Sequence, residues 1–272
     1  MDSEIEPVSD VGSQYADAGL ATGLRVFWLP GCSSCVKVKE HLKRLNVPFE
    51  SVSVATNPAA AMELKARGIR GVPCILRAAD FVYAQSLEEV SRFIGLTYRA
   101  PRKDPAFLFE QWFFLLNLGI GYLEACPEPL LATDVLKERK RPIGQLAYHV
   151  YQIPNAFVHC MENREPKWVL RAAGPVDMEI ALNREKLLKF ARLAVDGLMG
   201  YWERMGKALP MEPFVLEEGL RSADEFLDRS SWHSAQHLRQ IASVLSRERV
   251  SLIPDWSDDF CYGLSIPVEL WE

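Results

Sequence analysis

Residues 24–35, Leu24-Arg25-Val26-Phe27-Trp28-Leu29-Pro30-Gly31-Cys32-Ser33-Ser34-Cys35, run a short apolar stretch straight into a pair of thiols separated by two residues. Leu24–Leu29 reads as a buried strand. Cys35–Leu45 reads as a helix, with Val36, Val38, Leu42 and Leu45 apolar and the lysines facing out. Cys32 therefore falls where a strand ends and a helix begins. A cysteine in that position sees unpaired backbone N–H groups and the positive end of the helix dipole, and both favour thiolate, the nucleophilic form, over thiol. Cys35 lies one turn on, close enough to close a disulfide and release a bound partner.

Working outward, Phe49–Val54 alternates apolar and polar as a strand does, and Asn57-Pro58 opens a helix through Arg67. Gly71-Val72-Pro73 breaks the chain before a strand Cys74–Leu76. A turn at Ala78–Asp80 leads to a strand Phe81–Tyr83. Ser86-Leu87-Glu88-Glu89 then caps a helix through Ile94. The order is β-α-β-α-β-β-α. With a CxxC after the first strand and a Val-Pro before the third, residues 24–96 resemble the thioredoxin fold, and in their short form glutaredoxin. The resemblance implies that Cys32 is the nucleophile and Cys35 the resolving thiol. It implies a cis Pro73 facing the pair, with Val72 and Pro73 shaping the substrate groove. A low-molecular-weight thiol would be co-substrate, and a small-molecule thiol or a protein disulfide the partner. Two family elements that help hold glutathione are absent. No basic residue precedes the loop in Phe27-Trp28-Leu29-Pro30, and no Gly-Gly-acidic turn follows the fourth strand in Tyr83-Ala84-Gln85-Ser86. Cys74 reads first as a small buried residue at a strand start. The alternative is a third thiol beside the pair, able to bind a soft metal such as Cu(I), Zn(II) or Hg(II). His41 reads as a surface residue.

The 272 residues suggest two domains, and 49% hydrophobic with 25% charged residues is an ordinary globular composition. A net charge of −5 argues against a nucleic-acid partner. The longest apolar stretch, Phe107–Leu123, is interrupted by Glu110, Gln111 and Asn117 and reads as too short and too polar to span a bilayer, so no membrane partner is expected. Residues 1–23 carry Asp2, Glu4, Glu6, Asp10 and Asp17 and no Lys or Arg. They read as a disordered acidic lead-in rather than a signal peptide. Six cysteines without an export signal read as reduced thiols in a cytoplasmic protein.

Residues 97–104 are polar and basic and read as a linker. Beyond them the strand pattern disappears. Helical periodicity covers roughly Pro105–Ala125, Arg141–Glu162, Arg184–Leu209 and Ala223–Arg247, so an antiparallel four-helix bundle over 105–249 is expected. The fold class is thus α/β plus all-α. The tail, 250–272, holds Trp256, Phe260, Tyr262 and Trp271 and is expected to pack back on the bundle.

His233 and His237, four apart, share one face of the fourth helix a turn apart, the geometry two imidazoles need for one metal ion. His149 on the second helix supplies a third ligand if the second and fourth helices are neighbours. His159, ten positions on, points about 80° away on an ideal helix, although Pro154 between them can alter that. Three neutral imidazoles leave an open coordination position of the kind zinc or nickel uses in catalysis. One histidine on the second helix, with His-x-x-x-His and a following Gln on the fourth, is similar to the DinB-like family, also called YfiT-like metal-dependent hydrolases. That resemblance implies a divalent metal, zinc or nickel, on His149, His233 and His237. It also implies thiol-dependent transferase or hydrolase chemistry, and it allows a homodimer. Trp112, Phe113, Tyr148 and Trp232 read as core aromatics, some able to line a pocket over the metal. The charge run Lys137-Glu138-Arg139-Lys140-Arg141 reads as a solvated loop and helix start, with contact to an anionic substrate the lesser reading. Two functions stay open: a thiol–disulfide oxidoreductase tied to a metal-binding bundle, and a non-catalytic redox- or metal-responsive binding protein.

Overall fold

The computed structural model describes residues 23–163, 174–205, 207–210, 213–216 and 219–271. The expected acidic lead-in, apart from Gly23, lies outside them. The described chain divides into two compact units. One holds the residues up to Leu29 with Lys37–Ala100; the other holds Pro30–Val36 with the residues from Pro101 on.

The first fold is a four-stranded mixed sheet in the order β2-β1-β3-β4. β1 is Arg25–Trp28, β2 Glu50–Ser53, β3 Cys74–Arg77 and β4 Asp80–Tyr83, with helices α1 (Ser33–Arg44), α2 (Pro58–Ala66) and α3 (Leu87–Phe93) between and after them. β1 and β2 are parallel, and β3 runs antiparallel to both β1 and β4. Strand alternation sorts the core into two layers. Val26 and Ile75 face one way, packing with Val38 and Leu42 of α1 and Val90 of α3. Phe27, Cys74 and Leu76 face the other, packing with Ala60 and Leu64 of α2. This mixed sheet with helices on both faces is the thioredoxin-like arrangement that the motif order led us to expect. Asn57 and Ser86 cap α2 and α3, accepting from Ala60 N–H at 3.1 Å and Glu89 N–H at 3.4 Å.

The remainder is mainly helical. Its long helices are α4 (Pro105–Ala125), α5 (Ile143–Asn163), α7 (Arg184–Arg204) and α8 (Ala223–Arg247), with a short α6 (Met178–Ala181) before α7. α4 and α5 each pack against both α7 and α8. α5 and α8 are therefore neighbours, the condition for a shared histidine site. Trp112, Tyr122, Tyr151, Phe157, Tyr201 and Phe226 are fully or almost fully buried in one core. By length and composition α4 passes as a membrane-crossing helix, against the reading of this stretch as too short and too polar. Its apolar side chains have a use in the fold: Leu108, Phe109, Trp112, Leu115 and Leu116 lie in the core. α5 runs unbroken through Pro154.

Four expectations are corrected. Strands do occur in this half, as two short antiparallel hairpins: β5 (Asp134–Leu136) with β6 (Arg139–Pro142), and β7 (Phe214–Leu216) with β8 (Gly219–Arg221). The charge run is accordingly no solvated helix start. Lys137-Glu138 makes the turn, and the two-residue strand period sends Lys140 out to pair with Asp134 at 3.0 Å while Arg141 is buried. The third long helix stops at Arg204, before Lys207 takes a left-handed φ of 59°, rather than reaching Leu209. In the tail, Trp256, Phe260 and Trp271 pack on the helical core, but Tyr262 is 79% exposed.

Candidate functional site

Cys32 immediately precedes α1, so its side chain occupies the N-cap position. The backbone N–H of Cys35 donates to Cys32 Sγ at 3.3 Å, the bond an N-cap oxygen makes elsewhere. That donor, with the dipole of α1, stabilises negative charge on sulfur. Cys32 and Cys35 form a disulfide with Cα atoms 5.2 Å apart. Cys32 is half-buried, and Cys35 is fully buried. The outer sulfur is the one an incoming partner reaches, and the inner one can only act on its neighbour.

Val72–Pro73 is a cis peptide. The β1–β3 register sets Phe27 opposite Cys74, so Pro73 lies level with Trp28, at the end of β1 from which the cysteine loop departs. Val72 lines an open groove of about 540 Å³ with Leu29, Val54, Leu64 and Ile69, and Pro73 is itself buried. Cys74 sits in the apolar layer against α2, and burial pushes its thiol up to about 12. His41 is the clearest departure from expectation. It is 2% exposed, not a surface residue, because α3 covers that side of α1. Arg44 donates to its Nδ1 at 3.0 Å, so Nε2–H faces Ser91 Oγ at 2.8 Å. Burial, reinforced by Arg44 and Lys37, lowers its pKa to about 4.

In the helical half the structure brings together His149 on α5 with His233 and His237 on α8. All three are buried, and one ring nitrogen from each lies within 4.8 Å of the others. Ring centroids are 5.4 Å (His149–His233), 5.2 Å (His149–His237) and 4.7 Å (His233–His237) apart. Three nitrogens on one tetrahedral ion, with bonds of about 2.0–2.1 Å, stand roughly 3.4 Å apart. Small ring rotations close that difference. His159 is outside the group, its Nδ1 3.3 Å from Asn163 Nδ2.

Burial keeps the three rings neutral, the form that ligates metal. The pKa of His149 is lowered to about 3, by burial first and Arg141 second. His233 and His237 are also pushed well down, by burial first and then by each other's neighbours His237 and Arg141 respectively. Each histidine has a glutamine three residues on: Gln152, Gln236 and Gln240. Gln152 donates Nε2–H to Gly174 O at 3.0 Å, and it opposes the lowering of the His149 pKa. Gln240 Oε1 lies 2.7 Å from His237 Nδ1 and its Nε2 donates to Leu270 O at 3.0 Å. Gln236 donates to Glu269 O and Leu270 O, both at 3.1 Å. Among the described residues His233 Nδ1 and Gln236 Oε1 are both buried without a hydrogen-bond partner. An orphaned ring nitrogen inside a trio of neutral imidazoles fits a site for a divalent ion. Sequence reading had singled out one glutamine after the His-x-x-x-His; the repeated His-x-x-Gln spacing was the signal for the other two. The ring of Trp232 lies 5.7 Å from that of His233, whereas Trp112 is sealed in the core with its indole N–H on Ser234 Oγ at 2.9 Å.

The glutaredoxin family profile matches residues 24–82. A thioredoxin-like protein of Bacillus subtilis (strain 168), described as the SPbeta prophage-derived protein YosR, is 33% identical over 66 residues, 24% of this chain and 72% of that protein. No solved structure matches the chain.

Proposed function

Through residues 24–82 the chain belongs to the glutaredoxin family of thioredoxin-like proteins, and on that premise we propose that it is a thiol–disulfide oxidoreductase joined to a metal-binding four-helix bundle of the DinB-like kind. The observation that carries the redox reading is the Cys35 N–H donating to Cys32 Sγ on a half-exposed N-cap cysteine. In the reduced protein, Cys32 thiolate attacks one sulfur of a substrate disulfide, and the other sulfur leaves as a thiolate. Cys35, deprotonated as the mixed disulfide forms, then attacks Cys32 Sγ and expels the second substrate thiolate. The substrate gains two electrons and two protons, and the protein is left with the Cys32–Cys35 disulfide. A low-molecular-weight thiol is the proposed reductant that returns it to the dithiol, with Val72 and Pro73 bordering the substrate.

In the bundle, His149, His233 and His237 are the proposed ligands of a zinc or nickel ion, which when bound would lower the pKa of a thiol or water in its open position. Gln152 and Gln240 orient two of the rings, and the buried surroundings exclude competing water. Thiol-dependent transfer or hydrolysis is the proposed chemistry there, in a cytoplasmic protein, with a homodimer the assembly to test for.

The test is a disulfide-reduction assay with glutathione and with thioredoxin reductase, beside elemental analysis of protein purified without chelators. Turnover with either reductant, lost in Cys32→Ser, supports the oxidoreductase. Metal lost in His233→Ala and His237→Ala but kept in Cys32→Ser places the ion in the bundle. The missing basic residue before Pro30 and the missing Gly-Gly turn favour a second reading, a redox- or metal-responsive binding protein. Stoichiometric metal with no turnover would select it.

A further inference from the structure

Arg141 lies in β6, two residues before α5, and is 9% exposed. Two other partly buried cations of this half have acids against them: Lys103 lies 2.6 Å from Asp228, and Arg239 lies 3.0 Å from Asp258. Among the described residues Arg141 has neither a carboxylate nor a hydrogen-bond acceptor on its guanidinium. Burial and Arg139 hold its pKa down at about 9, with no acid among the described residues opposing them. A guanidinium removed from water without a counter-charge is strongly destabilising unless something completes it.

What completes it is indicated by its neighbours. Arg141 bears electrostatically on His149, His233 and His237 alike. Arg229 adds to the positive field at His149 and His233, and Arg139 at His149 and His237. Among the described residues no carboxylate contributes at any of the three rings. The place is not sealed, since His149 and His233 each keep 8% exposure. A cationic, desolvated lining with a planar fork of N–H donors matches a small oxyanion, which a guanidinium can take in two parallel hydrogen bonds.

We propose that Arg141 is the anion receptor of the histidine site, binding the carboxylate or phosphate of a small substrate so that its reacting group faces His149, His233 and His237. The proposal names the substrate class for the metal centre proposed above and rests on that reading for the reacting half. The binding of the anion does not depend on it.

The experiment is calorimetric titration of the full chain, metal-free and zinc-loaded, with glycolate, its neutral amide glycolamide and inorganic phosphate. The wild type should bind glycolate or phosphate at least about 10-fold more tightly than glycolamide, the scale of a charge-assisted hydrogen bond in a desolvated site. Arg141→Met should erase that preference with zinc stoichiometry unchanged, and Arg141→Lys, which keeps the charge but not the fork, should retain part of it. Phosphate binding more tightly than glycolate assigns a phosphorylated substrate, and the reverse a carboxylate. Equal affinity for glycolate, glycolamide and phosphate in the wild type overturns the proposal. So does an anion preference that survives in Arg141→Met, because the anion would then be held by the metal alone. If no zinc binds, the metal reading falls by itself, and the wild-type preference in metal-free protein still decides the role of Arg141.

Discussion

His237 Nδ1 lies 2.7 Å from Gln240 Oε1, one turn along the same helix and fully out of solvent. A glutamine oxygen only accepts, so the ring carries its proton on Nδ1 and keeps Nε2 bare. Gln240 cannot rotate freely, because its own N–H₂ is held by Leu270 O. The pair fixes both the tautomer and the direction of the imidazole, which is the work of outer-shell partners at metal sites. Replacing Gln240 by Leu should weaken zinc or nickel binding about 10- to 100-fold. Disulfide turnover at Cys32 should not change. Competition with a chromophoric chelator measures the first; an affinity equal to wild type would remove Gln240 from the site.

The two cysteines of the loop should behave differently. Cys35→Ser should accumulate a stable mixed disulfide between Cys32 and the substrate thiol, because the resolving sulfur is gone. Cys32→Ser should form none. Mass spectrometry of the intact protein reads both.

Alkylation should separate Cys32 from Cys74. In reduced protein at neutral pH, iodoacetamide should label Cys32, whose sulfur faces a backbone N–H. It should spare Cys74, whose thiol burial pushes up to about 12. Peptide mapping that finds Cys74 labelled as fast as Cys32 would contradict the apolar surroundings described for it.

His41 should give the first unit a pH-dependent stability. Folded, the ring stays neutral down to about pH 4; unfolded, it takes up a proton below about 6.5. The unfolded chain therefore binds more protons between those values. The contribution is whole above about pH 6.5 and is lost as pH falls through 4, and amounts to about 1–2 kcal/mol after solvent screening. Thermal melts at pH 7 and pH 5 should show a smaller drop for His41→Gln than for the wild type. Parallel drops would exclude the ring as the titrating group.

Gly144, in the first turn of α5, has no room for a side chain. A Cβ there would overlap the Ala181 carbonyl oxygen and stand 3.2 Å from the Leu131 carbonyl oxygen. Both obstacles are backbone, so neither can step aside as a side-chain tip could. Gly144→Ala should cost about 1–3 kcal/mol, the range of overpacked sites, and lower the melting temperature of the helical half by several degrees. A melt coincident with the wild type would mean that α6 shifts freely.

Local relations were legible in the residues alone. An apolar run placed β1, alternation β2, and the Gly71-Val72-Pro73 breaker and the Ala78–Asp80 turn β3 and β4, while the Asn57-Pro58 and Ser86 signals placed the starts of α2 and α3. The bounds of α4 and α8 followed from their periodicity. The N-cap placement of Cys32 and the shared face of His233 and His237 needed only the geometry of one helix turn. The β5–β6 hairpin was missed because Arg139–Arg141 is charged on both strand faces, which hides the alternation.

By itself, then, the sequence determined the thioredoxin-like order of elements, the cysteine pair at a helix start and the candidate ligands within each helix. These depend on contacts three or four residues apart. Only the tertiary structure decided that α5 lies against α8, so that His149 reaches the other two histidines. Only it decided that α3 buries His41, and that Arg141 is enclosed with no acid beside it among the described residues. The physical reason is that burial and charge neutralisation are set by which distant segments pack together. A charged residue has the same local sequence whether its face meets water, a carboxylate or three imidazoles.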